Sequence, residues 1–112
     1  MEKVKKIYLS GPITGRNEDQ MYLHFSMVRW RLRVAAEKRG MKVHLISPDS
    51  IAFWGLEWDS YMQIARTVLK DPTIDAICLM KGWERSAGCI MELMWAREAD
   101  LPIIYENGAK HA

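Results

Sequence analysis

Apolar and polar positions along this chain switch between two periods. Val4-Lys5-Lys6-Ile7-Tyr8-Leu9 is a short β-prone run closed by Ser10-Gly11-Pro12, and it reads as a strand. From about residue 19 or 20 to residue 39 the apolar positions return every three to four residues. That spacing predicts a long helix, with Gly40 as its C-terminal stop. A second strand is expected over 41–46, ended by Ser47-Pro48-Asp49, and residues 50–57 are irregular and rich in aromatics. A helix follows over about 59–70, opened by Ser60 and Gln63 in capping-box spacing and stopped by Asp71-Pro72. The apolar run 74–80 reads as a buried strand, 81–86 as a loop, about 87–99 as a helix and 101–105 as a fourth strand. Strands alternating with helices predict an α/β domain with a parallel sheet of about four strands. Right-handed crossovers then give a doubly wound, flavodoxin-like arrangement with helices on both faces.

At 112 residues the chain is expected to form one domain, and 49% hydrophobic with 27% charged residues fits a folded globular protein. Its longest apolar runs are far below the ~18 residues a membrane span needs. The opening residues offer no signal-peptide core, so a cytoplasmic location is expected. Residues 1–50 hold ten Lys/Arg and five Asp/Glu, and residues 51–112 hold six and nine. This asymmetry reads either as a basic first helix lying beside more acidic segments, which accounts for most of the charges, or as a basic face for a phosphate-bearing small molecule. The net charge of +2 does not call for nucleic acid. Cys78 and Cys89 form no CxxC pair, and His24, His44 and His111 are scattered. Neither a disulfide framework, a metal site nor a bound cofactor is expected.

In open parallel sheets, ligands bind beyond the carboxyl ends of the strands at the switch point. The loops there begin after the first, second and third strands, and they hold the candidate chemistry. The first, Ser10-Gly11-Pro12-Ile13-Thr14-Gly15-Arg16, carries two glycines, two hydroxyls and an arginine, and reads either as a loop that brings backbone close to a phosphate or as a structural turn. It matches neither a Walker loop nor a dinucleotide GxGxxG. The third carries Trp83, a flat surface for a base or sugar that serves equally as a cover for the core. Trp54 and Trp58 have the same two readings. Ser86-Ala87-Gly88 opens the last helix, and its backbone NH groups favour an anion, although Ser86 equally reads as a plain N-cap. Glu92 lies in the second turn of that helix, among Gly88, Cys89, Trp95, Ala96 and Ala99 on the helical wheel. Gly88 and Ala96 leave space over it, so it is either a solvated surface residue or a partnered carboxylate facing the site.

Together these segments resemble the nucleoside 2-deoxyribosyltransferase superfamily. The shared features are the opening Tyr8-Leu9-Ser10-Gly11-Pro12-Ile13-Thr14-Gly15 and the spacing of Ser86, Gly88 and Glu92. A family of small phage and bacterial domains without an assigned activity is similar over nearly the whole chain, with Gly82-Trp83-Glu84-Arg85-Ser86-Ala87-Gly88 as its second motif. The resemblance implies that Glu92 attacks the anomeric carbon of a 2-deoxyribosyl group, the base leaves, and water or a second base takes the sugar. It implies that Tyr8 orients this nucleophile, as in the 2'-deoxynucleoside 5'-phosphate N-hydrolases, and that Ser86 holds a 5'-phosphate. The superfamily's acidic residue in the helix before the third strand is absent, for its place falls on Ala65 or Thr67. The hydrolases' first-loop arginine is Thr14 here, with Arg16 nearby. Asp49 is the one replacement acid the sequence offers, and without an acid, catalysis loses about 10²–10⁴-fold.

Three readings stand at this level: a hydrolase or transferase acting on a nucleoside or its 5'-monophosphate, a catalytically inactive nucleotide-binding sensor, and a structural or interaction protein. The first long helix adds an expectation of assembly. Phe25, Val28, Leu32, Ala35 and Ala36, with Tyr22 at the margin, make one apolar stripe, while Leu23, Met27, Trp30 and Val34 make a second on the opposite side. The second stripe predicts a homodimer or larger homo-oligomer, unless the segment at 51–58 folds over it.

Overall fold

The computed structural model describes residues 4–13, 17–47 and 57–106. Its elements are strand β1 (Val4–Ser10), helix α1 (Glu18–Lys38), strand β2 (Lys42–Ile46), helix α2 (Trp58–Lys70), strand β3 (Ala76–Leu79), a 3-10 turn (Trp83–Arg85), helix α3 (Ala87–Glu98) and strand β4 (Ile103–Tyr105). The four strands pair in parallel in the order β2-β1-β3-β4, which is the expected doubly wound sheet. Tyr8 pairs with Ile46 on one side and Ile77 on the other, so β1 is central. The reversal of chain direction across the sheet falls between β1 and β3.

Side-chain alternation distributes the core. Ile7 and Leu9 join Ala76, Cys78 and Met80 against Met21, Phe25 and Val28 of α1. Tyr8 joins Ile77 and Leu79 on the other face, against Ala65 and Leu69 of α2 and Leu93 and Ala96 of α3. The core stripe of α1 differs slightly from expectation. Met21 is buried and Ala35 is exposed. At 100° per residue Met21 lies ~40° from Phe25, and Ala35 lies ~80° away, at the edge of contact.

Local structure corrects several boundaries. β1 runs through Ser10, which pairs with Leu79 and is therefore strand rather than loop. α2 begins at Trp58 with Glu57 as a cap that makes no side-chain bond, so Ser60 lies inside the first turn and the expected capping box does not form. β3 starts only at Ala76, because the Ile74 NH is turned back to the Asp71 carbonyl. β4 starts at Ile103, because the Leu101 NH closes α3 on the Ala96 carbonyl. Two glycines are dictated by geometry. A Cβ on Gly11 would stand 2.9 Å from the Met80 sulfur and 3.0 Å from the Phe25 ring. Gly82 opens the 3-10 turn at φ 94°, a left-handed conformation that glycine adopts without steric cost.

Candidate functional site

The parity of β1 builds the site. With Ile7 and Leu9 committed to the α1 side, Tyr8 and Ser10 point to the α2–α3 side at the carboxyl end of the central strand. Glu92 comes down onto them from α3. Its carboxylate is 1% exposed, so of the two sequence readings the buried, partnered one holds. The Ser10 hydroxyl donates to Oε1 at 2.8 Å, and the Tyr8 hydroxyl donates to Oε2. Both donors are themselves buried. Gly88 and Ala96, one turn before and one turn after Glu92, keep the helix close to its neighbours. A Cβ on Gly88 would already touch the Met62 sulfur at 3.4 Å.

Tyr61, from the first turn of α2, completes the group through a side-chain hydrogen bond with Tyr8. Sequence reasoning missed it. Its signal was its place one turn ahead of buried Ala65 on the core side of α2.

Electrostatics follow from enclosure. Burial pushes the Glu92 carboxyl up to about 7 from its ordinary 4.5, and the Tyr8 and Ser10 hydrogen bonds hold that rise in check. Burial, together with the neighbouring carboxylate, pushes both the Tyr8 and the Tyr61 phenols far up, so neither ionises at physiological pH. A carboxyl that titrates near neutrality can hold or release a proton during a reaction.

The other expected residues are placed as follows. Ser86 is the N-cap of α3 and accepts the Cys89 NH at 3.2 Å, with exposed Ala87 and then Gly88 forming the first turn. Pro12 lies against Gly82, joining the first and third loops. Ile13 packs on the α1-side core. Trp83 is partly buried against Tyr105, with ring centroids 6.1 Å apart, and its indole NH is enclosed without an acceptor. It lines a cleft of about 330 Å³ with Leu79, Lys81, Arg85, Tyr105 and Glu106, which Glu92 does not line. Thr14, Gly15, Arg16 and Asp49 lie outside the described residues, as does Trp54.

Of the two places for the missing acid, Ala65 is in the core, and Thr67 is exposed with its hydroxyl on the Gln63 carbonyl. His24 is engaged with Glu106 at 2.6 Å. The same Glu106 oxygen accepts the Lys81 NH at 2.8 Å, which ties α1 to the ends of β3 and β4. Among the described residues, no group of three or more His, Cys, Asp or Glu side chains could hold a metal ion. Cys78 and Cys89 are buried and form no disulfide, and burial pushes the Cys78 thiol up to about 12.

Residues 5–105 match the model of a family described as a domain of unknown function, DUF4406. The chain belongs to this family. No curated protein matches the sequence. The family match covers every element built into the site, from β1 through β4.

Proposed function

We propose that this DUF4406 domain cleaves or transfers the N-glycosidic bond of a deoxynucleoside 5'-monophosphate, with Glu92 as the nucleophile. One observation carries the reading: a buried carboxylate at the switch point of a doubly wound sheet, gripped by two hydroxyls from the central strand. Leaving a carboxylate out of water is costly unless it is partnered, and here the partners orient both oxygens as a nucleophile requires. The resemblance to nucleoside 2-deoxyribosyltransferases supports the same assignment. Incubation with a panel of nucleosides and 5'-monophosphates, followed by detection of free base, tests it. Base release is expected from at least one monophosphate, and a panel without release contradicts it.

Ala65, standing where the resemblance puts an acid, favours a second reading in which the domain binds nucleotides without turnover. A thermal-shift response in the same panel without base release would select it.

The start of α3 supports recognition of phosphate. NH dipoles at a helix N-terminus favour negative charge, and Ser86 keeps a hydroxyl proton to donate while its oxygen caps the helix. The protein is therefore expected to bind a monophosphate more tightly than its nucleoside. Ser86→Ala is expected to narrow that ratio by about 3- to 10-fold and to lower stability by about 1 kcal/mol through the lost cap. Calorimetric titration of both ligands checks this, and equal affinity of the parent for the two contradicts it.

We also infer self-association through α1. Leu23, Met27 and Trp30 are 61, 43 and 66% exposed. Val34 is half-buried, so the stripe is shorter than the pattern implied. A second copy of the helix would cover it. Light scattering is expected to give at least twice 13.0 kDa for the parent and a smaller particle for Trp30→Glu. A parent that runs as a monomer at micromolar concentration contradicts it. Among the described residues, no helix is long and apolar enough to cross a membrane.

A further inference from the structure

Of the second motif, Gly82-Trp83-Glu84-Arg85-Ser86-Ala87-Gly88, the N-glycosidase reading uses only the last three residues. The first four form a turn that lines a cavity. Gly82, at φ 94°, bends the chain as it leaves β3, and the Trp83 NH closes the bend on the Met80 carbonyl at 3.1 Å. Trp83 then packs against Tyr105 at the end of the neighbouring strand β4, with the two rings tilted by 43°. The cleft of about 330 Å³ lies where this turn meets the ends of β3 and β4. That volume is at the lower end of the range for small-molecule pockets, and it suits one ring system with a substituent.

The lining combines an apolar part with unspent polar groups. Leu79 is buried, and Trp83 and Tyr105 are half-buried. The Trp83 indole NH is enclosed and finds no acceptor. A donor left so inside a folded protein calls for a partner such as a ligand, an ion or water. Glu106 is spent, because its carboxylate already holds His24 at 2.6 Å, the Lys81 backbone NH at 2.8 Å and Arg31 at 3.5 Å. The exposed side chains of Lys81, Glu84 and Arg85 make no ion pair or hydrogen bond among the described residues. Two unspent cations and one unspent anion leave the cleft with an excess of one positive charge.

We propose that this cleft binds a small aromatic carboxylate, with its ring against Trp83 and Tyr105 and its acid group at Lys81 and Arg85. The proposal does not rest on the N-glycosidase reading. Aromatic side chains take a flat ring by offset or edge contact, which a saturated ring cannot match. The planar guanidinium of Arg85 suits a planar carboxylate, to which it can offer two parallel NH donors. A single negative charge balances the excess of the lining, whereas a phosphate ester would exceed it. The acid also brings acceptor oxygens to a cleft in which the Trp83 NH lacks one.

The test is an NMR titration of the isotope-labelled protein with naphthoate, its neutral amide, cyclohexanecarboxylate and naphthyl phosphate. The assigned Trp83 indole NH signal is expected to shift with naphthoate, with a Kd of about 1 mM or below for a ligand of this size. Naphthoate is expected to bind at least about 5-fold more tightly than either the amide or cyclohexanecarboxylate. Lys81→Gln with Arg85→Gln is expected to weaken naphthoate by about 10-fold and to leave the amide within about 2-fold of the parent. Both side chains are exposed, and the backbone NH of residue 81 keeps its bond to Glu106, so the double variant retains the fold. A Trp83 signal unmoved at about 10 mM naphthoate overturns the site. Equal affinity for the amide or for cyclohexanecarboxylate, unchanged naphthoate binding in the double variant, or tighter binding of naphthyl phosphate overturns the ligand class. Base release is not read in this test, so its outcome is separate from that of the N-glycosidase reading.

Discussion

Glu92→Gln is expected to reduce base release by about 10³-fold or more while the protein keeps its fold. The amide matches the carboxyl in volume, which matters for a side chain that is 1% exposed beneath α3. Its carbonyl oxygen can still accept from Tyr8 or Ser10, and its NH2 can donate to the oxygen of the other hydroxyl, so no buried polar atom need lose its partner. What is lost is the attacking carboxylate and the proton it can store. Rates measured by release of free base, with circular dichroism and melting on the same samples, check this. Turnover within about 3-fold of the parent would remove Glu92 from the role of nucleophile.

The same carboxyl should make folding stability depend on pH. In the unfolded chain Glu92 titrates near 4.5, and in the folded protein burial raises it to about 7. The folded state therefore holds the proton more tightly. The stability linked to that proton is fully present below 4.5 and is lost as pH rises through 7. The difference between the two values corresponds to about 3 kcal/mol. Glu92→Gln carries no such proton. The variant is expected to approach the parent near pH 4 and to exceed it by about 3 kcal/mol near pH 8. Urea unfolding of both proteins across that range checks it. Subtracting one curve from the other removes groups the substitution does not touch, such as Asp71, whose carboxyl the Thr73 backbone and hydroxyl hydrogen bonds hold low. A constant difference across the range would mean that Glu92 is not buried in its ionisable form.

The order of elements was legible in the chain because each carries its own period and its own punctuation. The apolar stretch within 74–80 is short and β-prone and reads as a buried strand, and Gly40 and Asp71-Pro72 stop their helices by local backbone chemistry. Element ends were less legible. Whether Ser10 extends β1 depends on its pairing with Leu79, a residue 69 positions away. Whether Ser60 caps α2 depends on where the incoming chain turns, and it turns at Glu57.

Sequence by itself determined the doubly wound sheet and the candidacy of Glu92, Tyr8 and Ser10 near the carboxyl ends of its strands. Periodicity and turn chemistry act over a few residues, and the rules of parallel-sheet topology then leave few arrangements. Only the tertiary structure decided that Glu92 is enclosed rather than solvated. A helical wheel gives the direction of a side chain but not what the neighbouring helix covers. Only the tertiary structure brought Tyr61 to Tyr8, because the contact joins α2 to β1 across the core, and no local pattern encodes it. It also seated the Trp83 ring against Tyr105 of β4. The loop position was readable from sequence, but the direction of the ring depends on a strand 20 residues further along the chain.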